Sequence, residues 1–180
     1  MVSFYELIKK IIDGFTKEGV DYAFTGAVAA SFYGVPRTTA DVDLVVSVSI
    51  ENAQNKLVSA LRWAGLQVEE KKIEDALISG YKIVTFKSKN SPYKVDIILS
   101  DRIRKRSGKM AGLDTFFQAP EDLILAKLRM IKATLQQEKA VKDEEDVKAI
   151  LHFTNVDMEA IEKQAKKDKT LEIWKRLSSA

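Results

Sequence analysis

Cysteine is absent from the 180 residues, which excludes disulfides, thiolate nucleophiles and cysteine-ligated zinc or iron–sulfur centres. Histidine occurs once, at His152, so histidine-based metal sites and catalytic triads are disfavoured, and His152 reads as a surface or packing residue rather than a base. No apolar run approaches the roughly 18 residues of a membrane span. The N-terminal stretch lacks the apolar core of a signal peptide, and a cytoplasmic location with no membrane partner is the expectation. Internal repeats and low-complexity tracts are also missing. Proline is scarce, with three residues, and each falls where an element should stop or start: Pro36, Pro92 and Pro120.

What is present is ordinary for a globular chain: 46% of residues are apolar and 31% charged, enough for one domain with a real core or for a core plus a helical appendage. The net charge of +3 is small, but Arg102, Arg104, Lys105, Arg106 and Lys109 form one dense basic run. It reads either as a docking strip for a polyanion or as a solvated loop.

The stretch from Phe24 to Val46 organises the chain. A first strand over Val20 to Thr25 meets Gly26, and the small residues from Ala27 onward begin a helix that reaches about Phe32. Gly34 and Pro36 stop it. The unpaired N–H groups at such a helix start offer a place for phosphate, although a strand–glycine–helix junction alone also arises for steric reasons. Arg37, Thr38 and Thr39 lead into a β-branched strand from Asp41 to Val46. Alternation along that strand aims Asp41 and Asp43 at one face while Val42 and Leu44 take the other.

Elsewhere the periodicity is mostly helical. Phe4 to Phe15 has an apolar stripe behind a Ser3 cap. A helix after Ser47 or Ser49 runs past Leu57, Leu61 and Trp63 to Gly65, Leu66 to Glu70 reads as a short strand, and Lys71 to Ser79 gives no clear signal. Tyr81 to Phe86 and Tyr93 to Leu99 form a hairpin around Asn90, Ser91 and Pro92. Asp96 sits inside Val95-Asp96-Ile97-Ile98-Leu99, where a carboxylate is costly unless paired or ligating. Pro120 opens a helix through Ile131, with Lys127 near its apolar stripe, either as a snorkelling structural lysine or reaching toward phosphate. Further helices span Lys142 to Phe153, with Asp143 and Asp146 on one face, then Asp157 to about Lys167 and Thr170 to about Leu177.

Paired carboxylates serve as a general acid and base, as a metal site, or as plain solvated charge. Two carboxyls so close on one strand do not flank a sugar as a glycosidase needs. With Asp96 as a third, a hard magnesium-type site completed by water and substrate phosphate is the better match.

Gly26-Ala27, then Gly34-Val35-Pro36-Arg37-Thr38-Thr39-Ala40-Asp41-Val42-Asp43, then Val95-Asp96-Ile97, resemble the minimal nucleotidyltransferases of the DNA polymerase beta superfamily. The later runs Ala119 to Leu128 and Lys142 to Asp146 resemble the helical signatures of its AbiEii-type toxin branch. The resemblance implies an α+β fold: a mixed sheet packed against helices, with a core at 1–112 and a C-terminal helical extension at 113–180. It implies that Asp41, Asp43 and Asp96 bind two magnesium ions, or manganese, and that Asp96 helps activate the attacking hydroxyl. Gly26, Ala27, Arg37, Thr38 and Lys127 would hold the nucleoside triphosphate, ATP among the candidates. Ala27 departs from the glycine or serine usual at that motif position. The implied reaction moves a nucleoside monophosphate to an acceptor hydroxyl, on tRNA, a protein or a small molecule, and releases pyrophosphate. The alternative is a non-catalytic module of the same fold that binds a nucleotide or a partner such as an antitoxin. Self-association through the C-terminal helices is a further expectation.

Overall fold

The computed structural model describes residues 2–34, 36–49, 51–80 and 82–179. Among them are six strands in one mixed sheet and eight helices, and the chain falls into two compact units, Met1–Gly26 with Thr39–Gln118, and Ala27–Thr38 with Ala119–Ala180. Val35, part of the glycine–arginine motif, and Tyr81, expected to open a strand, lie outside the described residues.

The first unit begins with α1 (Phe4–Lys17). Its start is fixed by a capping box: Ser3 Oγ accepts from the Glu6 N–H at 3.2 Å, and Glu6 Oε2 accepts from the Ser3 N–H at 2.8 Å. The expected stripe of Leu7, Ile8, Ile11, Ile12 and Phe15 is buried, each side chain contributing roughly 1.5–3 kcal/mol. The strands are β1 (Tyr22–Phe24), β2 (Asp41–Ser47), β3 (Ile83–Lys87), β4 (Lys94–Ser100), β5 (Lys105–Met110) and β6 (Leu113–Gln118), in the order β3-β4-β2-β1-β6-β5. Strand β2 runs parallel to β4 and antiparallel to β1, β3 is antiparallel to β4, β6 is parallel to β1, and β5 closes the edge antiparallel to β6.

Alternation along these strands sorts the residues by face. Val42, Leu44 and Val46 on β2, Val95, Ile97 and Leu99 on β4, and Val84 and Phe86 on β3 are all buried. Helix α1 packs on α3 (Ala53–Trp63), and α4 (Glu70–Ser79) lies against β3. The intervening positions Asp41, Asp43, Asp96 and Thr85 share the opposite face.

Several expected elements differ. Residues 66–69 make no strand, only a single bridge from Leu66 to Ser88. The segment without a clear signal is α4, of which only Ile73 and Ala76 are buried. Neither Ser47 nor Ser49 caps α3; their hydroxyls bond each other at 2.9 Å, and Asn52 precedes the helix at φ 58°. Most of the basic run is not loop but edge strand β5, paired over its whole length with β6.

The second unit holds α2 from Ala27 onward (Gly26–Tyr33), α5 (Pro120–Ala133), α6 (Gln137–Phe153), α7 (Met158–Lys167) and α8 (Leu171–Ser178). Helix α5 packs on α6, α7 and α8 around buried Leu123, Ile124, Leu128, Val147, Ile150 and Trp174. Pro120 opens α5, and Asp157 caps α7 by accepting from the Ala160 N–H at 2.9 Å. Helices α2 and α6 are tied where Thr154 donates to the Tyr33 carbonyl at 2.8 Å. Among the described residues no helix is long and apolar enough to cross a membrane.

Candidate functional site

In the first unit, backbone pairing brings the three acidic residues onto one face. Strand β2 places Asp41 and Asp43 two residues apart, and the parallel register sets Asp43 directly beside Asp96 and Asp41 beside Lys94. Asp41 is exposed, whereas Asp43 and Asp96 are half-buried. Asp96 Oδ1 accepts a hydrogen bond of 2.5 Å from Thr85 Oγ1, across the β3–β4 pair.

Gly26 closes in on this row. Its φ is +57°, a conformation that costs a residue with a Cβ about 1–2 kcal/mol. A Cβ on Gly26 would fall 2.1 Å from Asp43 Oδ2 and 2.7 Å from its Cγ, so the glycine is needed for close approach as well as for its backbone angle. The junction is fixed from two sides. The Thr25 N–H donates to the Asp43 carbonyl at 2.9 Å, and Thr25 Oγ1 donates to Gln118 Oε1 at 2.5 Å.

Whether this row suits a divalent metal is a question of donor type and placement. Carboxylate oxygens are the ligands that magnesium and manganese prefer, and the register delivers three of them to one face beside a glycine that leaves room for nothing larger. The donor set therefore fits. The sharing is of backbone position: among the described residues no three acidic or histidine side chains are gathered into a ready metal cage. Exposed Asp41 retains the rotamer freedom to swing.

In the second unit, the remaining residues singled out from the sequence meet a different set of partners. Lys127 is buried, with 6% of its side chain exposed, and its Nζ donates to Asp143 Oδ1 at 2.9 Å and Asp146 Oδ2 at 2.7 Å. Arg37 grips the same Asp146 with two parallel bonds of 3.0 Å, from Nε to Oδ1 and from Nη2 to Oδ2. Two cations and two anions thus form one neutral cluster joining the loop after α2, α5 and α6. Arg37 keeps 34% of its side chain exposed, and its other N–H donors are not used on Asp146. Asp143 and Asp146 thus tie α6 to α5, and Asp146 also ties it to the loop after α2. Ala27 is buried and, like Thr38, belongs to the second unit.

Sequence reasoning passed over Thr85, Thr25 and Gln118. The signal for Thr85 was available: two strands closed by a turn around Asn90 to Pro92 fix which residue faces Asp96. The link from Arg37 to Asp146 had no comparable signal, being a pairing across 109 positions.

No family model matches the chain, and no curated protein matches it in sequence. Solved structures do. The solution structure of the antibiotic-resistance factor ANT(2'')-Ia matches with TM-score 0.63 at 12% identity, covering 98% of this chain and 97% of that one. The crystal structure of ANT(2'')-Ia in complex with adenylyl-2''-tobramycin matches with TM-score 0.63 at 12% identity, over 92% and 97%. An antigenic nucleotidyltransferase-like protein from Paracoccidioides brasiliensis matches with TM-score 0.54 at 13% identity, over 96% and 93%. At such identities the likeness is one of architecture: the mixed sheet and its helices form a nucleotidyltransferase fold.

Proposed function

We propose that the protein is a metal-dependent nucleotidyltransferase that moves a nucleoside monophosphate from a nucleoside triphosphate to an acceptor hydroxyl. The observation that carries this reading is the register of Asp41, Asp43 and Asp96 on one sheet face, with Gly26 pressed against Asp43. The match to a structure of ANT(2'')-Ia holding adenylyl-2''-tobramycin supports the reaction type.

Asp41, Asp43 and Asp96 would hold two magnesium ions, or manganese. When bound, the ions supply positive charge that neutralises phosphate oxygens and stabilises the entering and leaving groups. Asp96 takes the proton of the acceptor hydroxyl at its carboxylate. The acceptor oxygen bonds to the α-phosphorus, the bond from that phosphorus to the bridging oxygen breaks, and pyrophosphate leaves with the electron pair. Gly26 would bind the triphosphate beside the aspartates, and Ala27 and Arg37 are the further candidates for phosphate, Arg37 through the guanidinium donors not used on Asp146. Thr38 follows Arg37 in the loop and adds a hydroxyl. Lys127, bonded to Asp143 and Asp146, would act by holding that cluster, and with it Arg37, in place.

The acceptor we favour is RNA, with tRNA as the candidate. Supporting this is β5, whose Lys105, Arg106 and Lys109 are exposed on the sheet edge, a disposition suited to phosphate contacts. A protein hydroxyl and a small molecule are the other acceptor classes. The test is incubation with labelled triphosphates, magnesium, and candidate RNAs and proteins, comparing the natural chain with Asp41→Asn and Asp43→Asn. Label should move to one acceptor with the natural chain alone. Transfer that survives both substitutions, or no transfer to any acceptor, would count against the proposal.

A second reading, a nucleotide- or antitoxin-binding module without turnover, is favoured by one observation: both Arg37 and Lys127 already neutralise Asp146. Calorimetric binding of triphosphate and magnesium with no product formed would select it.

A further inference from the structure

We propose that Thr85 is a positioning residue for Asp96, committing one oxygen of that carboxylate so that the other is presented in a fixed direction for metal and acceptor. The inference rests on the three-carboxylate reading and extends it to a residue outside the acidic set.

Val84 and Phe86 are 4% and 2% exposed, so β3 is anchored through the side chains on either side of Thr85. Antiparallel pairing puts Thr85 directly opposite Asp96, with Val84 opposite Ile97 and Phe86 opposite Val95. Directly opposed residues on one face are the pairs that meet across a sheet. The two buried neighbours therefore fix the face on which Thr85 stands, and on that face its hydroxyl meets Asp96.

The contact that results is strong for its setting. At 2.5 Å it lies at the short end for a hydroxyl on a carboxylate. Thr85 is exposed, so its hydroxyl has water as an alternative partner and burial does not force the bond. A valine would serve strand propensity equally well, and only the hydroxyl distinguishes threonine there.

The consequence concerns the spacing of charges. Asp43 and Asp96 are adjacent across the β2–β4 pair, and two carboxylates at neighbouring positions repel. Thr85 lies on the far side of β4 from β2, so its bond draws Oδ1 of Asp96 toward β3 and away from Asp43. Oδ2 is left as the oxygen that can ligate or accept a proton. Groups that orient a ligand in this way typically set metal affinity by about 10–100-fold.

Manganese binding without nucleotide, read by electron paramagnetic resonance, tests the proposal apart from turnover. Thr85→Val, which keeps shape and removes the hydroxyl, should weaken Mn2+ binding by about tenfold or more, while Thr85→Ser should keep most of the affinity. In an Asp96→Asn background, Thr85→Val should have no further effect, because Thr85 acts through Asp96. Equal Mn2+ affinity in the natural chain and Thr85→Val, or a loss that adds in full to that of Asp96→Asn, would overturn the inference alone. Absence of Mn2+ binding by the natural chain would instead overturn the carboxylate reading and this inference with it. Should Thr85→Val fail to fold, Thr85→Ala carries the same comparison.

Discussion

The α-carbon of Gly26 lies so close to the Asp43 carboxylate that a Cβ there would fall 2.1 Å from Oδ2. One substitution tests both the backbone angle and the approach. Gly26→Ala should cost about 1–2 kcal/mol from the positive φ alone, with displacement of Asp43 added, and lower the melting temperature by about 2–8 °C. Thermal unfolding followed by circular dichroism checks this. Gly65→Ala provides the contrast, since its φ is +80° but a Cβ would meet nothing within 4 Å; it should lose stability while leaving transfer intact, whereas Gly26→Ala should lose both.

Removing Lys127 takes the ammonium from Asp143 and leaves Asp146 with Arg37 alone. That ammonium is the shared partner of Asp143 and Asp146, and both Lys127 and Asp146 are almost fully buried. Lys127→Met should destabilise the chain by about 3–5 kcal/mol, a fall measurable by urea unfolding with little change in slope. Adding Asp143→Asn to it should recover part of that loss, because the one uncompensated negative charge disappears and Asp146 still has Arg37.

Arg37 and Asp146 should be energetically coupled. Their paired 3.0 Å bonds use two guanidinium nitrogens and both carboxylate oxygens. A double-mutant cycle of Arg37→Gln and Asp146→Asn should give a coupling of about 0.5–3 kcal/mol by denaturant unfolding. Simple additivity of the two losses would mean that the contact does not hold the loop.

Acid should loosen the link between α6 and α8 in a defined window. Glu144 Oε1 and Oε2 accept from Arg176 at 2.6 and 3.0 Å, and the guanidinium bonds hold the carboxyl below its ordinary value. A depressed carboxyl contributes its stability above the ordinary glutamate value of about 4.3 and loses it as pH falls through the lowered one. Arg176 is exposed and Glu144 half-buried, so the pair sits at the surface and contributes only about 0.2–1 kcal/mol. Melting curves should show Glu144→Gln slightly less stable at pH 6, with the gap closing below pH of about 4.

Much of this arrangement was legible in the residues and some was not. The alternation Asp41-Val42-Asp43-Leu44 fixed the face of both carboxylates, because a strand period leaves no other choice, and Ser3 with Glu6 marked the start of α1. Asp96 drew notice because a charge among Val95, Ile97 and Ile98 needs a reason. By contrast, β5 reads Lys105-Arg106-Ser107-Gly108-Lys109, with no apolar alternation to betray it. It is a strand because β6 offers backbone partners along its whole length, and edge strands tolerate such charge. Helix α4 escaped for a related reason: only Ile73 and Ala76 of its ten residues are buried, too few to set a period. The Arg37–Asp146–Lys127 cluster depends on tertiary pairing that no local pattern encodes.

On the proposed function, Asp41, Asp43 and Asp96 act together on a metal-bound triphosphate. Crystals grown with manganese and a non-hydrolysable triphosphate test it most directly, through anomalous scattering from the metal. Manganese peaks are expected within ligand distance of oxygens from all three aspartates, with triphosphate oxygens completing the shell. Manganese bound elsewhere, or a triphosphate seated away from the β2–β4 face, would contradict it.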